Sequence, residues 1–128
     1  MVRGCDLFMS QIETGNLNKK TLENPETRGW VLGNFIDLSL PFHSKDVEIK
    51  WGRHKKGETK DSAYVDVPTK ALAILIYGKL SIKFPEQDQD IVLEKEGDYI
   101  YNEGRLHHIL NVFEDSLLIT IRWPSLKA

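Results

Sequence analysis

The feature that most constrains the fold is a period of two in the apolar residues from Gly29 onward, where helical periodicity disappears. Apolar side chains alternate with polar or small ones along residues 47–52 and again along residues 80–84. Alternation of this kind is typical of β-strands, because successive side chains of a strand point to opposite faces. Glycine, proline and acidic turn formers separate the short runs. The sequence therefore predicts an all-β protein, either a sandwich or a barrel.

The runs divide the chain into an N-terminal arm and one β-domain. Residues 1–28 are polar and interrupted by glycine, asparagine and proline, so we interpret them as an arm with one short strand or helical turn. Residues 29–128 form the β-domain. Within it, residues 71–77 are apolar on both faces, which predicts a central strand, and residues 55–61 are a polar loop that turns at Gly57. The predicted strands are residues 30–32, 34–40, 47–51, 71–77, 80–84, 91–93, 99–101, 109–113 and 117–123.

Composition argues against several classes of partner and compartment. The 128 residues are 28% charged and 41% hydrophobic, as in an ordinary globular domain. The net charge of −2 argues against nucleic-acid binding, which usually shows as a basic excess. The single cysteine, Cys5, excludes an internal disulfide and fits a reducing compartment. No apolar run is long enough to span a membrane and no signal peptide is recognisable, so we expect a cytoplasmic protein without a membrane partner.

Charge is locally concentrated between residues 50 and 60, where basic residues are interrupted and flanked by acidic ones. The basic residues of this cluster are Lys50, Arg53, Lys55, Lys56 and Lys60. We interpret the cluster as a solvated strand end with its loop. A rim that binds anions is the alternative interpretation.

Residues 97–111 carry the most informative motif. They begin with a Gly-Asp turn and an aromatic strand, continue through a second glycine and a pair of histidines, and end with asparagine. In this order they resemble the second conserved motif of the cupin superfamily. Residues 72–79, an apolar strand closed by Gly78, are similar to the end of the first motif, and residues 117–125 are similar to the last strand of small single-domain cupins. The resemblance spans residues 46–123 and implies a cupin-type double-stranded β-helix, an RmlC-like jelly-roll barrel.

The first motif departs from the metal-binding pattern of this family. In metal-binding cupins the first motif supplies two histidines and a glutamate. Counting back from Gly78 places these three positions at Tyr64, Asp66 and Ala71. The methyl group of Ala71 cannot coordinate a metal, so Asp66 is the one ligand that this motif retains.

The second motif leaves two choices for its ligand histidine. Counting from Gly97 selects His108, whereas counting back from Asn111 selects His107. Neighbouring residues of a strand point to opposite faces, so only one of the two faces the barrel interior. We predict that His108 lies inside and that His107 lies on the outer face, paired with Asn111.

A divalent metal is the candidate cofactor implied by the resemblance. Such a metal needs three or four converging nitrogen or oxygen ligands. The candidates are His108 or His107, together with Asp66 and with either His54 or Glu58.

Strand parity argues against a place for His54 inside the barrel. If Val47, Ile49 and Trp51 fill the core, His54 points outward and is a surface histidine. A lone interior histidine would then be a hydrogen-bonding residue of the pocket or a general base.

Basic and aromatic residues complete the candidate ligand pocket. Arg122 shares a face with Leu118 and Thr120; if that face is interior, its planar guanidinium can bind a carboxylate or a phosphate. If the face is exterior, Arg122 is an ordinary cross-strand partner. The other candidates are four tyrosines, for which packing in the core is the alternative: Tyr64, Tyr77, Tyr99 and Tyr101.

These residues lead to three hypotheses for function. The first is a small-molecule-binding cupin without a complete metal site, which binds a polar or acidic ligand in the barrel. The second is a metal-dependent enzyme, an oxygenase or isomerase, with an atypical ligand set around His108 and Asp66. The third is a partner-binding domain whose barrel is filled by side chains.

We also expect a homodimer. Barrels that resemble this one usually pair through sheet edges, and the arm or residues 31–40 can add a strand to the partner.

Overall fold

The structure, a computed structural model, describes residues 12–126 and consists mainly of seven strands. One helix, α1 (Leu17–Glu23), and a 3-10 turn at Pro25–Thr27 precede all seven strands, and a second 3-10 turn lies at Pro85–Gln87. The strands are β1 (Trp30–Leu32), β2 (Glu48–His54), β3 (Thr59–Ser62), β4 (Val65–Phe84), β5 (Gln89–Leu93), β6 (Tyr99–Arg105) and β7 (His108–Trp123).

The two longest strands, β4 and β7, connect the two halves of the barrel. β7 pairs with β3 through its first half and with β2 through its second half. β4 pairs with β6 through its first half and with β5 through its second half, and it contacts β7 along most of its length. Since every one of these pairings is antiparallel, the predicted all-β jelly-roll barrel is confirmed.

Gly78 allows β4 to bend where a turn between two strands was predicted. The register between β4 and β7 shifts on both sides of this glycine, but the strand continues through it. Gly78 has a φ of 101°, and a Cβ there would collide with Ser116 and with the carbonyl of Asp115. The Ser116 hydroxyl accepts a hydrogen bond from the Lys79 N–H at 3.0 Å, which holds β7 against the bend.

The hydrophobic core occupies one part of the barrel interior. Along the inward side of β4, the interior changes from buried core at Leu80 and Leu75 to a cavity at Ala73 and Ala71. The core residues are Leu75, Leu80, Ile82, Phe84, Leu93, Ile100, Leu110, Val112 and Leu118.

The prediction of a strand at residues 34–40 is wrong. These residues form turns and bends, and the Asp37 carboxylate accepts hydrogen bonds from Ser39 N–H at 2.9 Å and from Ser39 Oγ at 2.7 Å. Short Asp and Ser side chains bond the nearby backbone in this way and compete with strand pairing. Conversely, β3 begins inside the predicted loop at residues 55–61. Its residues are polar and show no alternation of polar and apolar side chains, but their pairing with β7 holds them in a strand.

A short helix occupies part of the predicted arm. Asn16 caps α1, since its side-chain oxygen accepts a hydrogen bond from Lys19 N–H at 3.0 Å. Trp51 Nε1 donates to Asn18 Oδ1 at 2.8 Å and so ties the helix to β2. Cys5 lies outside the described residues. Between residues 12 and 126, no helix is long and apolar enough to cross a membrane.

An apolar surface covers the outside of four central strands, and we call it the outer apolar face. Its side chains alternate with residues that line the interior, so they point away from the barrel. Strand register aligns them in two rows: Ile49, Ile121, Leu72 and Tyr101, and Trp51, Ile119, Ile74 and Tyr99. The condition under which His54 would point outward is therefore not met, because β2 turns Lys50 and His54 inward rather than Ile49 and Trp51.

Candidate functional site

The barrel encloses a cavity of about 220 Å³ whose walls differ sharply in character. One wall is apolar and is formed by the core residues Ile82, Phe84, Ile100, Leu110 and Leu118. The remaining wall carries five cationic residues, which are Arg28, Lys50, Lys60, Arg105 and Arg122. Among residues 12–126, no Asp or Glu lines the cavity. The interior is therefore a small, strongly positive compartment.

Two alanines of β4 make room for the polar side chains of β7. Ala71 pairs with Arg122 and Ala73 pairs with Thr120, and all four residues line the cavity. The face shared by Leu118, Thr120 and Arg122 thus points into the barrel. This is the orientation under which Arg122 is a candidate to bind an acidic ligand. Ala71 stands at the position where metal-binding cupins carry a glutamate, and its small side chain leaves that space open.

Arg122 is held in the cavity wall by an aromatic ring and a carboxylate. Its Cζ lies 4.4 Å from the centroid of the Trp30 ring, and its Nη1 lies 3.4 Å from Glu48 Oε2. The second oxygen of Glu48 accepts a hydrogen bond from Ser125 Oγ at 2.8 Å. Burial and, to a smaller extent, the charge of Arg105 lower the pKa of Arg122 to about 10, and Glu48 opposes the shift. Arg122 is therefore protonated at neutral pH and its orientation is fixed.

Lys50 projects from β2 into the same compartment. Its Nζ lies 5.9 Å from the centroid of the Trp30 ring, so Lys50 and Arg122 lie against one indole. Within residues 12–126, no carboxylate forms an ion pair with Lys50. Burial, followed by the charges of Lys60, Arg122 and Arg28, lowers its pKa to about 8, against an opposing effect of Glu58.

His108 lies in the cavity wall with one ring nitrogen already engaged. Its Nδ1 lies 2.9 Å from the Leu106 carbonyl oxygen, and since a carbonyl can only accept, Nδ1 carries the proton. Burial lowers the pKa of His108; the Leu106 contact opposes this, and the charges of Arg122 and Lys60 lower it further. The ring is therefore neutral at pH 7, and its Nε2 offers a lone pair.

His107 lies on the outside, in a cluster with two carboxylates. Its Nδ1 lies 3.0 Å from Glu86 Oε1 and its Nε2 lies 2.8 Å from Asp61 Oδ1. The predicted pairing with Asn111 is wrong, because these two carboxylates occupy both ring nitrogens. The hydrogen bond to Glu86, followed by the one to Asp61, raises the pKa of His107.

His54 lines the cavity, in contrast to the outward position predicted from strand parity. Its Nδ1 lies 2.7 Å from Glu58 Oε2. Burial is the largest single effect on Glu58 and raises its pKa, but the hydrogen bond and charge of His54, the Lys55 N–H and the charge of Lys50 together outweigh it, so the net shift of the pKa is downward. A Cβ on Gly52 would lie only 3.0 Å from His54 Nε2, so the imidazole folds back over Gly52 in the direction of Lys50.

The predicted metal ligands do not come together. Asp66 is exposed outside the cavity and accepts a hydrogen bond from Tyr64 OH at 3.2 Å, whereas His108 and His54 lie in the cavity wall. In the described part of the chain, no group of three or more His, Cys, Asp or Glu residues is placed to hold a metal ion. With Ala71 in the glutamate position, the donor set does not fit the metal site of metal-binding cupins.

The four candidate tyrosines lie outside the cavity. They are 45 to 65% exposed, and the set comprises Tyr64, Tyr77, Tyr99 and Tyr101. The inward positions of β6 belong instead to Ile100 and Asn102. Tyr77 lies in an outer groove that shares Arg28, Lys50, His54 and Lys60 with the cavity.

Sequence reasoning did not single out Lys50, Arg28 or Arg105 as pocket residues. The available signal was the basic cluster at residues 50–60, for which an anion-binding rim was one of two interpretations. Strand parity does not identify these basic residues as inward-facing, because the apolar side of β2 faces outward in this fold.

Comparison with known proteins identifies the fold. No known family's sequence profile matches the chain, and no curated protein sequence matches it. An RmlC-like cupin from Desulfovibrio desulfuricans superposes with a TM-score of 0.56 at 11% identity, over 94% of this chain and 98% of that one. KdgF from Halomonas superposes with a TM-score of 0.55 at 16% identity, over 66% of this chain and 74% of that one.

EutQ from Clostridium difficile is a further neighbour, with a TM-score of 0.51 at 15% identity. The match covers 62% of this chain and 53% of EutQ, so this chain matches only about half of that protein. Together with the strand order, these neighbours show that the chain has the cupin fold, as its sequence resemblance implied. At such identities the likeness extends to the fold alone.

Proposed function

We propose that the protein binds a small organic anion, a carboxylate or a phosphate ester, in the barrel cavity through side chains and without a bound metal. The observation that carries this proposal is the clustering of five cationic residues around a cavity that no described Asp or Glu lines. Like charges so close together repel one another, and a bound anion relieves that repulsion.

The size of the cavity limits the ligand. The cavity has a volume of about 220 Å³. Drug-sized ligands occupy pockets larger than this. A metabolite of a few carbon atoms with one or two acidic groups fits.

Different residues of the cavity wall are placed to bind different parts of the ligand. Arg122 and Arg105 supply planar forks of donors that suit a carboxylate or phosphate. His108 Nε2 can accept a hydrogen bond from a ligand hydroxyl, and Asn102 and Thr120 add polar groups of fixed position. Ile82 and Phe84 face the carbon skeleton from the apolar wall.

The alternative, a metal-dependent oxygenase or isomerase, has weaker support. It requires at least three converging ligands, and Asp66 lies outside the cavity that His108 and His54 line. The anion-binding proposal uses residues that already converge.

Isothermal titration calorimetry with oxalate and with inorganic phosphate tests the proposal. Lys60→Met and Lys83→Met are matched variants, because both remove an exposed strand lysine but only Lys60 lines the cavity. We expect Lys60→Met to weaken oxalate binding roughly fivefold, which corresponds to about 1 kcal/mol, and Lys83→Met to leave it unchanged. Added salt should weaken binding to the unmodified protein.

Two results would contradict the proposal. One is the absence of any binding by either anion at low salt. The other is stoichiometric iron, manganese, nickel or zinc in untagged protein, with anion binding lost when the metal is removed.

A further inference from the structure

We infer that Lys50 is a nucleophile whose Nζ forms an imine with the carbonyl carbon of a small oxo acid bound in the cavity. This inference rests on the proposed anion site and names its substrate class: a carboxylic acid with a neighbouring ketone or aldehyde. It assigns to the cavity a covalent chemistry that anion binding alone does not require.

The position of Lys50 supports a reactive role. The side chain lines both the cavity and the outer groove, so it stands where the two meet. Its Nζ lies close to the Trp30 ring, and no carboxylate of residues 12–126 forms an ion pair with it. A lysine with structural duties alone would normally be paired or would extend its charged end into water.

The charges around Lys50 favour its neutral amine. Arg28 from the loop before β1, Lys60 from β3 and Arg122 from β7 all act on it, and Glu58 is the only described acid with an opposing effect. Burial and these cations lower the pKa of Lys50 to about 8, so about one tenth of the amine is unprotonated at pH 7. Desolvation and neighbouring cations activate lysine amines for imine formation in this way.

A second cation is placed to hold the carboxylate of the oxo acid. Lys50 pairs with Thr120 across the sheet, and Arg122 lies two residues further along β7 on the same inward face. Two residues of strand span about 7 Å, and both cationic side chains reach the same indole ring. A carboxylate bound by Arg122 therefore brings an adjacent carbonyl toward Lys50.

The His54–Glu58 pair is placed to move protons for the same step. Glu58 accepts from His54 Nδ1–H, which leaves Nε2 to take or give a proton. The absence of a side chain at Gly52 lets the ring lie over the strand between His54 and Lys50. His54 is thus a proton carrier at the mouth of the cavity.

The proposed step balances without an oxidant or a reductant. The neutral amine of Lys50 attacks the carbonyl carbon, and a C–N bond forms as the carbonyl π bond opens to give a carbinolamine. A proton taken up from solvent through His54 then lets the oxygen leave as water. The products are a protonated imine on Lys50 and one water molecule, from one amine, one carbonyl group and one proton.

Reductive trapping tests this inference directly. The protein is incubated with pyruvate or glyoxylate and sodium cyanoborohydride at pH 7.5, and the labelled lysine is located by peptide mass spectrometry. We expect one label per chain at Lys50, formed on the order of 100-fold faster than at an exposed lysine such as Lys83, and slowed by excess oxalate. Lys50→Arg keeps the positive charge and should lose the label at residue 50.

The outcomes separate this inference from the anion site. Oxalate has no ketone or aldehyde, so its binding measured by calorimetry reports on the anion site alone. Oxalate binding without preferential label at Lys50, or label spread evenly over exposed lysines, would overturn the imine. Failure of oxalate and pyruvate alike to bind would overturn both proposals.

Discussion

At the scale of single residues, Lys50 is a buried amine of the cavity wall whose pKa lies well below that of a free lysine. It is a cation among cations, with Arg28, Lys60 and Arg122 acting on it and Glu58 as the weak opposing charge. Because burial and these neighbours lower its pKa to about 8, the folded protein holds the Lys50 proton less tightly than the unfolded chain does. Between about pH 8 and pH 10.5, the contribution of Lys50 to the free energy of unfolding therefore rises with pH.

Anion binding should partly offset this shift and increase the protonated fraction of Lys50, while leaving a fraction as the neutral amine. At pH 8.5 we expect oxalate to bind with uptake of a fraction of a proton, and its affinity to fall as the pH rises above about 8. Calorimetry in buffers of different ionisation enthalpy measures the uptake. Lys50→Arg should bind oxalate without uptake and with an affinity that changes little between pH 7.5 and 9.5. An uptake that persists in this variant would mean that another group titrates.

At the scale of strands, the sequence predicted the barrel better than it predicted which side of a strand faces inward. The alternation in residues 80–84, the Gly-Asp turn at Gly97 and the inward position of His108 all agree with the structure. Strand β2 differs, because Ile49 and Trp51 point outward. The rule that apolar side chains face the interior holds beside the core, but it fails beside a cavity whose wall is cationic.

The departure of Ala71 from the metal-binding motif was readable from spacing alone. The spacing of residues in the sequence could not predict which cations line the cavity, because Arg28, Lys60 and Arg105 come from three separate segments. Their convergence depends on how β3, β6 and the loop before β1 meet. No local pattern encodes such a meeting.

The bend of β4 provides a test at the same scale. Gly78→Ala places a methyl group against Ser116 and the Asp115 carbonyl at a positive φ, so we expect a loss of about 3 kcal/mol or more in the free energy of unfolding. Gly57→Ala is the matched control, because Gly57 also has a positive φ but open space around it, and we expect a loss of about 1 kcal/mol. Urea unfolding measures both. Equal losses would show that the collision at the bend is unimportant.

At the scale of the whole molecule, the outer apolar face is a candidate protein–protein interface. Antiparallel sheets that face water normally carry polar residues on that side, whereas two rows of aliphatic and aromatic side chains lie here. We propose that a second copy of the chain covers this face, as a homodimer through the sheet surface. This surface is distinct from the sheet edges that the sequence suggested.

Substitution within the face tests the dimer. Light scattering after size-exclusion chromatography should give about twice the 14.7 kDa mass of one chain. Ile121→Lys should give the single-chain mass with an unchanged circular dichroism spectrum, because a charge in the face disrupts its self-association. Val92→Lys, at an exposed position on β5 outside the face, should stay dimeric. A monomeric parent protein would refute the proposal.

In the two longest strands, neighbouring residues lie on opposite sides of the barrel wall. Ile121 belongs to the outer apolar face and Arg122 to the cavity; likewise Leu72 lies outside and Ala71 inside. Each pair is joined by a single peptide bond. The proposed dimer surface and the proposed anion site therefore share these backbone positions. We expect the proposed dimerisation and the proposed anion binding to be thermodynamically linked, each altering the equilibrium constant of the other by the same factor.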